Sequence, residues 1–398
     1  MTPPLELAEA QRRLLELAAP LGPELVPTSE CIGRYLWSNV SALRTQPAGD
    51  LSAMDGYALS GPGPWTIVGE SAAGRPFGGH LTTGEAVRIS TGALMPAGAS
   101  AILLQEEAAR EDDRLAVAPG GEASPRHIRR KGFDFADGDA VLEPGVRVGP
   151  AQLALAIAAG HGAGGLEVGR SPRVAVIDSG DELATGATTW EDHRLPASNG
   201  AMIAGMAAPF AASVERLGPV PDRLEALAAA LADAEGADVI VTTGGASVGD
   251  HDLVRPALEA WGATIDFWRV AMRPGKPILL ARRGEQWILG LPGNPVSSYV
   301  TAFLFLLALL RRLAGARDCL PTPILARTES ALPPGGSRLE LVRARLAGGR
   351  VNPLGQQDSS GLRALAAANA LIERPIDAPA VAENGEVPIY LLENGGIA

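Results

Sequence analysis

A β-branched apolar run, Asp238-Val239-Ile240-Val241, leads directly into Thr242-Thr243-Gly244-Gly245-Ala246-Ser247-Val248-Gly249. Such a run bounded by glycines reads as a buried strand, and a buried strand ending in a glycine loop belongs to an open α/β sheet, which binds ligands at its strands' carboxyl ends. Gly244, Gly245 and Gly249 let main-chain N–H groups approach an anion closely, and Thr243 and Ser247 add hydroxyl donors. Downstream, Arg273-Pro274-Gly275-Lys276-Pro277 is a stiff turn that fixes two cations near one spot. In Gly290-Leu291-Pro292-Gly293-Asn294-Pro295, Asn294 and Pro295 suit the N-cap and first turn of a helix that follows Gly293. The ligand that suits these residues carries phosphate or another oxyanion.

The pattern around this stretch alternates as a doubly wound domain does. A strand at Val174-Ala175-Val176-Ile177 ends in Asp178-Ser179-Gly180-Asp181-Glu182-Leu183, and helices are predicted from about Asn199 to Arg216 and from Asp222 to Ala234. Strands follow at Thr264 to Trp268, Ile278 to Ala281 and Trp287 to Leu289. A chain of 398 residues suggests two to four domains. The divisions read from composition are an N-terminal region 1–170 with an inserted β-rich lobe at about 45–125, an α/β domain 171–317 and a small β domain 318–398. Within the first region a helical opening is predicted to run to about Arg44, and the chain is expected to return to the first lobe from Ile128.

A net charge of -11 argues against a general nucleic-acid partner, because phosphate-backbone binding needs a basic face. Cys31 and Cys319 stand far apart and outside any C-x-x-C pattern, which fits a reducing compartment rather than a disulfide framework. Met1 to Leu21 has an amphipathic helical pattern and no export signal, so a cytoplasmic location is expected. Val296 to Leu310 is apolar but short for a bilayer and reads as a buried helix, so no membrane partner is expected.

Six ordered segments together resemble the molybdopterin molybdenumtransferases, the family of the bacterial MoeA proteins and the corresponding domain of gephyrin. They are Ser52-Ala53-Met54-Asp55-Gly56-Tyr57-Ala58, Arg88-Ile89-Ser90-Thr91-Gly92-Ala93, Ser179-Gly180-Asp181-Glu182-Leu183, the glycine loop, Pro274-Gly275-Lys276-Pro277 and Gly290 to Pro295. The resemblance implies a multidomain α/β fold: a doubly wound molybdopterin-binding α/β domain, helical and β N-terminal lobes and a C-terminal β barrel. It also implies a Mg²⁺-dependent reaction in which molybdate and adenylylated molybdopterin give molybdenum cofactor and AMP, with a homodimer whose sites combine two chains.

Carried over by residue, the resemblance makes Asp55 a catalytic aspartate, sets Thr91 near molybdate, and gives Lys276 a catalytic role. Glu182, Asp222 and Asp252 match acidic positions around the metal and molybdate, where hard carboxylate oxygens suit Mg²⁺. Substrate contacts are expected from Thr243, Gly244, Gly245, Ser247, Gly249, Arg273, Pro274, Gly275, Gly293, Asn294 and Pro295, while Arg343 and Ser359 or Ser360 resemble positions that face the active site of the partner subunit. The sequence also departs from the family, with Arg273 where a lysine is common and Ala197 where an acidic residue is frequent. A nucleotidyl transferase acting on molybdopterin shares the glycine loop and Pro-Gly-Lys-Pro segment, but that class usually lacks the lobe that bears Asp55. A scaffold is the other alternative, and the acidic residues favour chemistry over it.

Overall fold

The computed structural model describes residues 4–184, 193–244 and 253–392. At its centre lies a six-stranded sheet in the order Ser213–Val220, Arg173–Ser179, Val239–Thr243, Gln286–Leu291, Pro277–Arg283, Thr264–Arg269. The first four strands run parallel, and Pro277–Arg283 is antiparallel to both of its neighbours. Its central strands are apolar on both faces because both faces are covered. Helices Asn199–Ala207 and Pro295–Leu313 pack on one face with Val174, Val176, Val239 and Val241. Helices Leu224–Asp233 and Val254–Ala260 cover Ala175, Ile177 and Ile240 on the other. From Arg173–Ser179 the chain crosses to Ser213–Val220 on one side, then to Val239–Thr243 on the other. The crevice between Arg173–Ser179 and Val239–Thr243 is therefore the switch point of the sheet.

Two helical expectations are corrected. The helix from Asn199 ends at Ala207, Pro209 lies in a 3₁₀ turn, and Ser213–Val220 is an edge strand paired with Arg173–Ser179. Proline removes an N–H that a continuing helix needs, and the β-branched Val214 suits the strand. The opening helix is confined to Leu7–Leu17, after which Pro20 and Gly22-Pro23 break it and Pro23–Pro27 pairs antiparallel with Gly165–Gly169. That short helix packs Leu7, Ala10 and Leu14 into the core of the central sheet.

Pro295–Leu313 is longer than the sequence reading of Val296 to Leu310. By length and composition it is, among the described residues, the one helix apolar enough to cross a membrane, and 89% of its apolar window is buried inside the protein. Its middle, Ala302–Leu306, is a π turn, which displaces carbonyls from the regular ladder. Gln11 Nε2 donates to one of them, Leu304 O, at 3.1 Å, so the N-terminal helix satisfies a group that the bulge exposes.

Before the central domain the chain runs out and back as a nested ribbon. Pro23–Pro27 pairs with Gly165–Gly169, Val40–Ser41 with Ala140–Leu142, and Leu51–Ser52 with Ile128–Arg129. Beyond the last pair is a six-stranded sheet in the order Ala101–Leu104, Gly56–Leu59, Glu85–Ile89, Trp65–Ser71, Arg114–Val117, Ala108–Glu111. At the other end of the chain, Leu339–Ala347, Arg350–Pro353, Ile324–Thr328, Glu386–Leu391 and Ala370–Arg374 close into a five-stranded barrel, because the first also pairs with the last. Ala344, Val351, Ile372, Val387 and Ile389 are buried together in its core. The short strand Met272–Arg273 pairs with Leu339 and Glu340, fastening the cationic turn to the barrel.

Candidate active site

At the switch point the sheet register sets Asp178 beside Thr243. Thr243 is buried, and its Oγ1 donates to Asp178 Oδ1 at 2.5 Å. Gly244 follows with φ +95°, and a Cβ there would lie 2.4 Å from Ser179 O, so the turn into the loop requires glycine at this position. Gly293 approaches from the next strand's end, where the position of its missing Cβ is 3.7 Å from Gly244 Cα. Thr243, Gly244 and Gly293 are thus brought together. Gly245, Ser247, Gly249 and Asp252 lie outside the described residues.

Next to this crevice a cleft of about 390 Å³ opens between the central domain and the barrel. Its lining includes Arg273, Pro274, Gly275 and Lys276 from the turn, Glu340 from the barrel strand, and Ser359 from the 356–361 loop. Lys276 and Arg273 are exposed, and Arg273 Nη1 is 3.3 Å from Glu340 Oε1. Gly275 has φ +100°, and a Cβ would meet Thr301 Cγ2 at 2.6 Å and Met272 Cε at 2.9 Å, so the turn can approach the long helix only with glycine there. Asn294 occupies the N-cap position and Pro295 the first turn, but the Asn294 side chain does not cap the helix. Its Nδ2 donates instead to Ser359 Oγ at 3.1 Å, while Val296 N donates to Ser359 O at 3.0 Å. One loop of the barrel is thereby tied to the mouth of the helix.

Arg343 requires a correction. Expected at the substrate, it is 1% exposed, and its terminal nitrogens donate to Gln356 O at 3.0 Å, Asp358 O at 2.9 Å and Gly361 O at 3.3 Å. Burial pushes this guanidinium down from its ordinary value, opposed by the nearby Asp358 charge. Its donors shape the loop that presents Asp358 and Ser359 to the cleft, so it acts on the cleft through that loop.

The acidic residues form a separate group at the same carboxyl edge. Asp222 N donates to Asp181 Oδ1 at 3.1 Å, and Asp181 N donates to Asp222 Oδ2 at 3.4 Å. Asp222 is not a helix cap: the following helix starts at Leu224, with Arg223 at the cap position. Burial, then the neighbouring Asp181 and Glu182 charges, push the Asp222 carboxyl up, against the pull of the Asp181 N–H. Among the described residues no group of three or more His, Cys, Asp or Glu is arranged to hold a metal ion. Glu182 and Asp222 alone do not make up the oxygen ligand set of Mg²⁺.

Asp55 and Thr91 meet in the N-terminal lobe, where Thr91 N donates to Asp55 Oδ1 at 2.7 Å. Both are exposed, on loops that follow Leu51–Ser52 and Glu85–Ile89, and neither lines the cleft. The sequence reading missed Arg338, Glu340, Gln357 and Asp358 at the cleft, and Asp178 at the crevice. Only Asp178 carried a local signal, a carboxylate at the end of an apolar strand; the cleft residues become neighbours through pairing between domains.

Three family models cover this architecture in order: the MoeA N-terminal region (domain I and II) over residues 5–160, a probable molybdopterin binding domain over 175–312, and the MoeA C-terminal region (domain IV) over 326–392. The fold and crevice are therefore those of a molybdopterin-binding enzyme of MoeA type. Among solved structures, the molybdopterin biosynthesis MoeA protein of Pyrococcus horikoshii OT3 is similar with a TM-score of 0.82 and 25% identity, covering 98% of this chain and 100% of that one. The molybdopterin molybdenumtransferase 2 of Mycobacterium tuberculosis (strain ATCC 25618 / H37Rv) is 35% identical over 96% of this chain and 98% of that protein. The molybdopterin molybdenumtransferase of Haemophilus influenzae is 32% identical over 80% of each chain. This chain belongs to the molybdopterin molybdenumtransferases, enzymes of molybdenum cofactor biosynthesis.

Proposed function

We propose that the chain converts molybdate and adenylylated molybdopterin into molybdenum cofactor and AMP. The observation that carries this reading is the cleft, where Arg273 and Lys276 on one rigid turn face Ser359 and the helix mouth at Asn294. Two cations and several hydroxyl and main-chain donors suit a pyrophosphate-linked nucleotide, whose cleavage leaves charge on phosphate oxygens. Molybdate is a substrate, and the dithiolene sulfurs that take up its metal belong to the pterin, which fits a protein with only two cysteines, both buried.

In this reading Arg273 and Lys276 neutralise the phosphates, Asn294 and Ser359 orient them, and the Thr243–Gly244 turn borders the adjoining crevice, where Gly293 approaches it. Asp55 and Thr91, exposed on another lobe, reach the cleft of a second copy of the chain, so the working unit is a homodimer with composite sites. Mg²⁺ is part of the proposed reaction as a requirement of the assay. Glu182 and Asp222 are the described residues that favour a cation, and no step is assigned to the ion.

The test is to mix purified protein with adenylylated molybdopterin, Mg²⁺ and molybdate and to follow AMP. Molybdate-dependent AMP release supports the reading. Synthesis of adenylylated molybdopterin from ATP and molybdopterin would identify a nucleotidyl transferase instead.

A further inference from the structure

Asp178 is a carboxylate that is 3% exposed at the end of a central strand, and nothing in the chemistry above uses it. Its Oδ1 accepts two hydrogen bonds, from Thr243 Oγ1 at 2.5 Å and from Gly200 N at 2.8 Å. Its Oδ2 lies 3.7 Å from Arg216 Nη2 on the adjoining edge strand. A Cβ at residue 200 would fall 2.0 Å from that Oδ2, so the helix Asn199–Ala207 can set its first turn on the carboxylate only because Gly200 is there. Ser198, at the cap position, makes no side-chain cap of its own. Asp178 therefore caps this helix from a different strand, an arrangement in which the N–H groups and dipole of the helix stabilise the charge.

The links continue to the substrate site. Asn199, next to Gly200, donates through Nδ2 to Gly293 O at 2.6 Å, and the following residue, Asn294, donates to Ser359 Oγ at 3.1 Å. One buried carboxylate thus joins the Thr243–Gly244 turn, the helix mouth at Gly200 and, through Asn199, the Gly293–Asn294 corner, whose Asn294 is bonded to Ser359 of the cleft. Burying an anion is unfavourable unless it is paired and hydrogen-bonded, and here the two hydrogen-bond donors, Thr243 and Gly200, stand at the switch point while Arg216 pairs with the carboxylate from the edge strand.

We propose that Asp178 is a positioning residue that fixes the glycine turn and the Gly293–Asn294 corner relative to one another for substrate binding. The proposal rests on the transferase reading for its kinetic consequence, but the tether itself is independent of it. Asp178→Asn keeps an oxygen that can accept from Thr243 and Gly200, Asp178→Ala removes it, and Thr243→Val removes one donor while keeping the shape.

The experiment measures kcat and KM for adenylylated molybdopterin by AMP release, together with amide hydrogen exchange over residues 199–207. Asp178→Ala is expected to raise KM about tenfold with kcat within about threefold, and to speed exchange at Gly200. Thr243→Val is expected to raise KM by about threefold, and Asp178→Asn to stay within about twofold of the parent. Parent KM and exchange in Asp178→Ala would overturn the proposal, as would an Asp178→Asn protein as impaired as the alanine variant. If Asp178→Ala fails to fold, the other two variants decide: faster exchange at Gly200 with a raised KM in Thr243→Val and parent behaviour in Asp178→Asn support the tether, and parent exchange at Gly200 in Thr243→Val overturns it. If the parent protein itself releases no AMP, the transferase reading fails, and the exchange rate at Gly200 alone upholds or refutes the tether.

Discussion

The switch point of the central sheet and the N-terminal lobe hold their candidate side chains in opposite ways. At the switch point Thr243 and Asp178 are buried, paired by strand register and bonded to each other. In the lobe Asp55 and Thr91 are exposed, and the hydrogen bond between them is main chain to carboxylate. The first arrangement is one that a closed-in ligand pocket needs, since buried groups have their geometry fixed by the ladder. The second presents a carboxylate to something that arrives from outside the lobe. A reaction that joins a bound organic substrate to an incoming oxyanion has use for both.

The largest effects fall on the presented groups. Lys276→Ala and Asp55→Asn are each expected to lower AMP release by about a hundredfold or more while leaving thermal unfolding unchanged, since both side chains are exposed. Mixing the two variants sharpens the contrast between lobe and cleft. If Asp55 serves the cleft of a second copy, random pairing of the two variants should recover about a quarter of parent activity, because about half the dimers are mixed and each has one intact site. No recovery in a demonstrably mixed dimer would place Asp55 with the cleft of its own chain.

Next comes Arg343, which separates holding a ligand from holding a loop. Arg343→Met leaves the carbonyls of Gln356, Asp358 and Gly361 without these donors, and a loss of about 3 kcal/mol in urea unfolding is expected. A variant with parent stability and a raised KM would instead make Arg343 a ligand contact. Gly275→Ala ranks below it: the left-handed φ and the contact at 2.6 Å with Thr301 predict about 1–3 kcal/mol of destabilisation and a raised KM through the displaced Lys276.

The same contrast decides what could be read in the sequence. The central sheet was legible because Val239-Ile240-Val241 and Val174-Ala175-Val176-Ile177 are runs that only a doubly covered strand tolerates. Gly244 and Gly275 were legible because positive φ and close approach leave few other residues possible. The edge strand Ser213–Val220 was misread because its exposure is mixed and it follows a true helix, so local pattern carried little weight against continuity. Arg343 was misread for a different reason. An arginine on an alternating strand signals an outward face, and the three carbonyls that make burial tolerable come from a loop 13 to 18 residues away. The nested ribbon, too, depends on pairings such as Pro27 with Gly165, which no local window contains.

The smallest predicted effect tests whether the acidic edge belongs with the fixed groups or with the presented ones. Burial and the Asp181 and Glu182 charges raise the Asp222 carboxyl, so the folded chain holds that proton more tightly than the unfolded chain does. The resulting stability is fully present below the unfolded carboxyl value and is lost as pH rises through the folded value, so at neutral pH the ionised Asp222 is a cost. Asp222→Asn should therefore raise the melting temperature at pH 7 by about 1–2 °C in the absence of divalent cations, with the gain vanishing at about pH 4 and below. Adding Mg²⁺ should narrow the difference, since the parent carries one more carboxylate at this edge for a cation to screen. An Asp222→Asn protein that melts lower than the parent at pH 7 without metal would mean that the hydrogen bond from Asp181 N–H to the charged Asp222 carboxylate outweighs the repulsion, and the edge would then rank with the structural groups of the switch point.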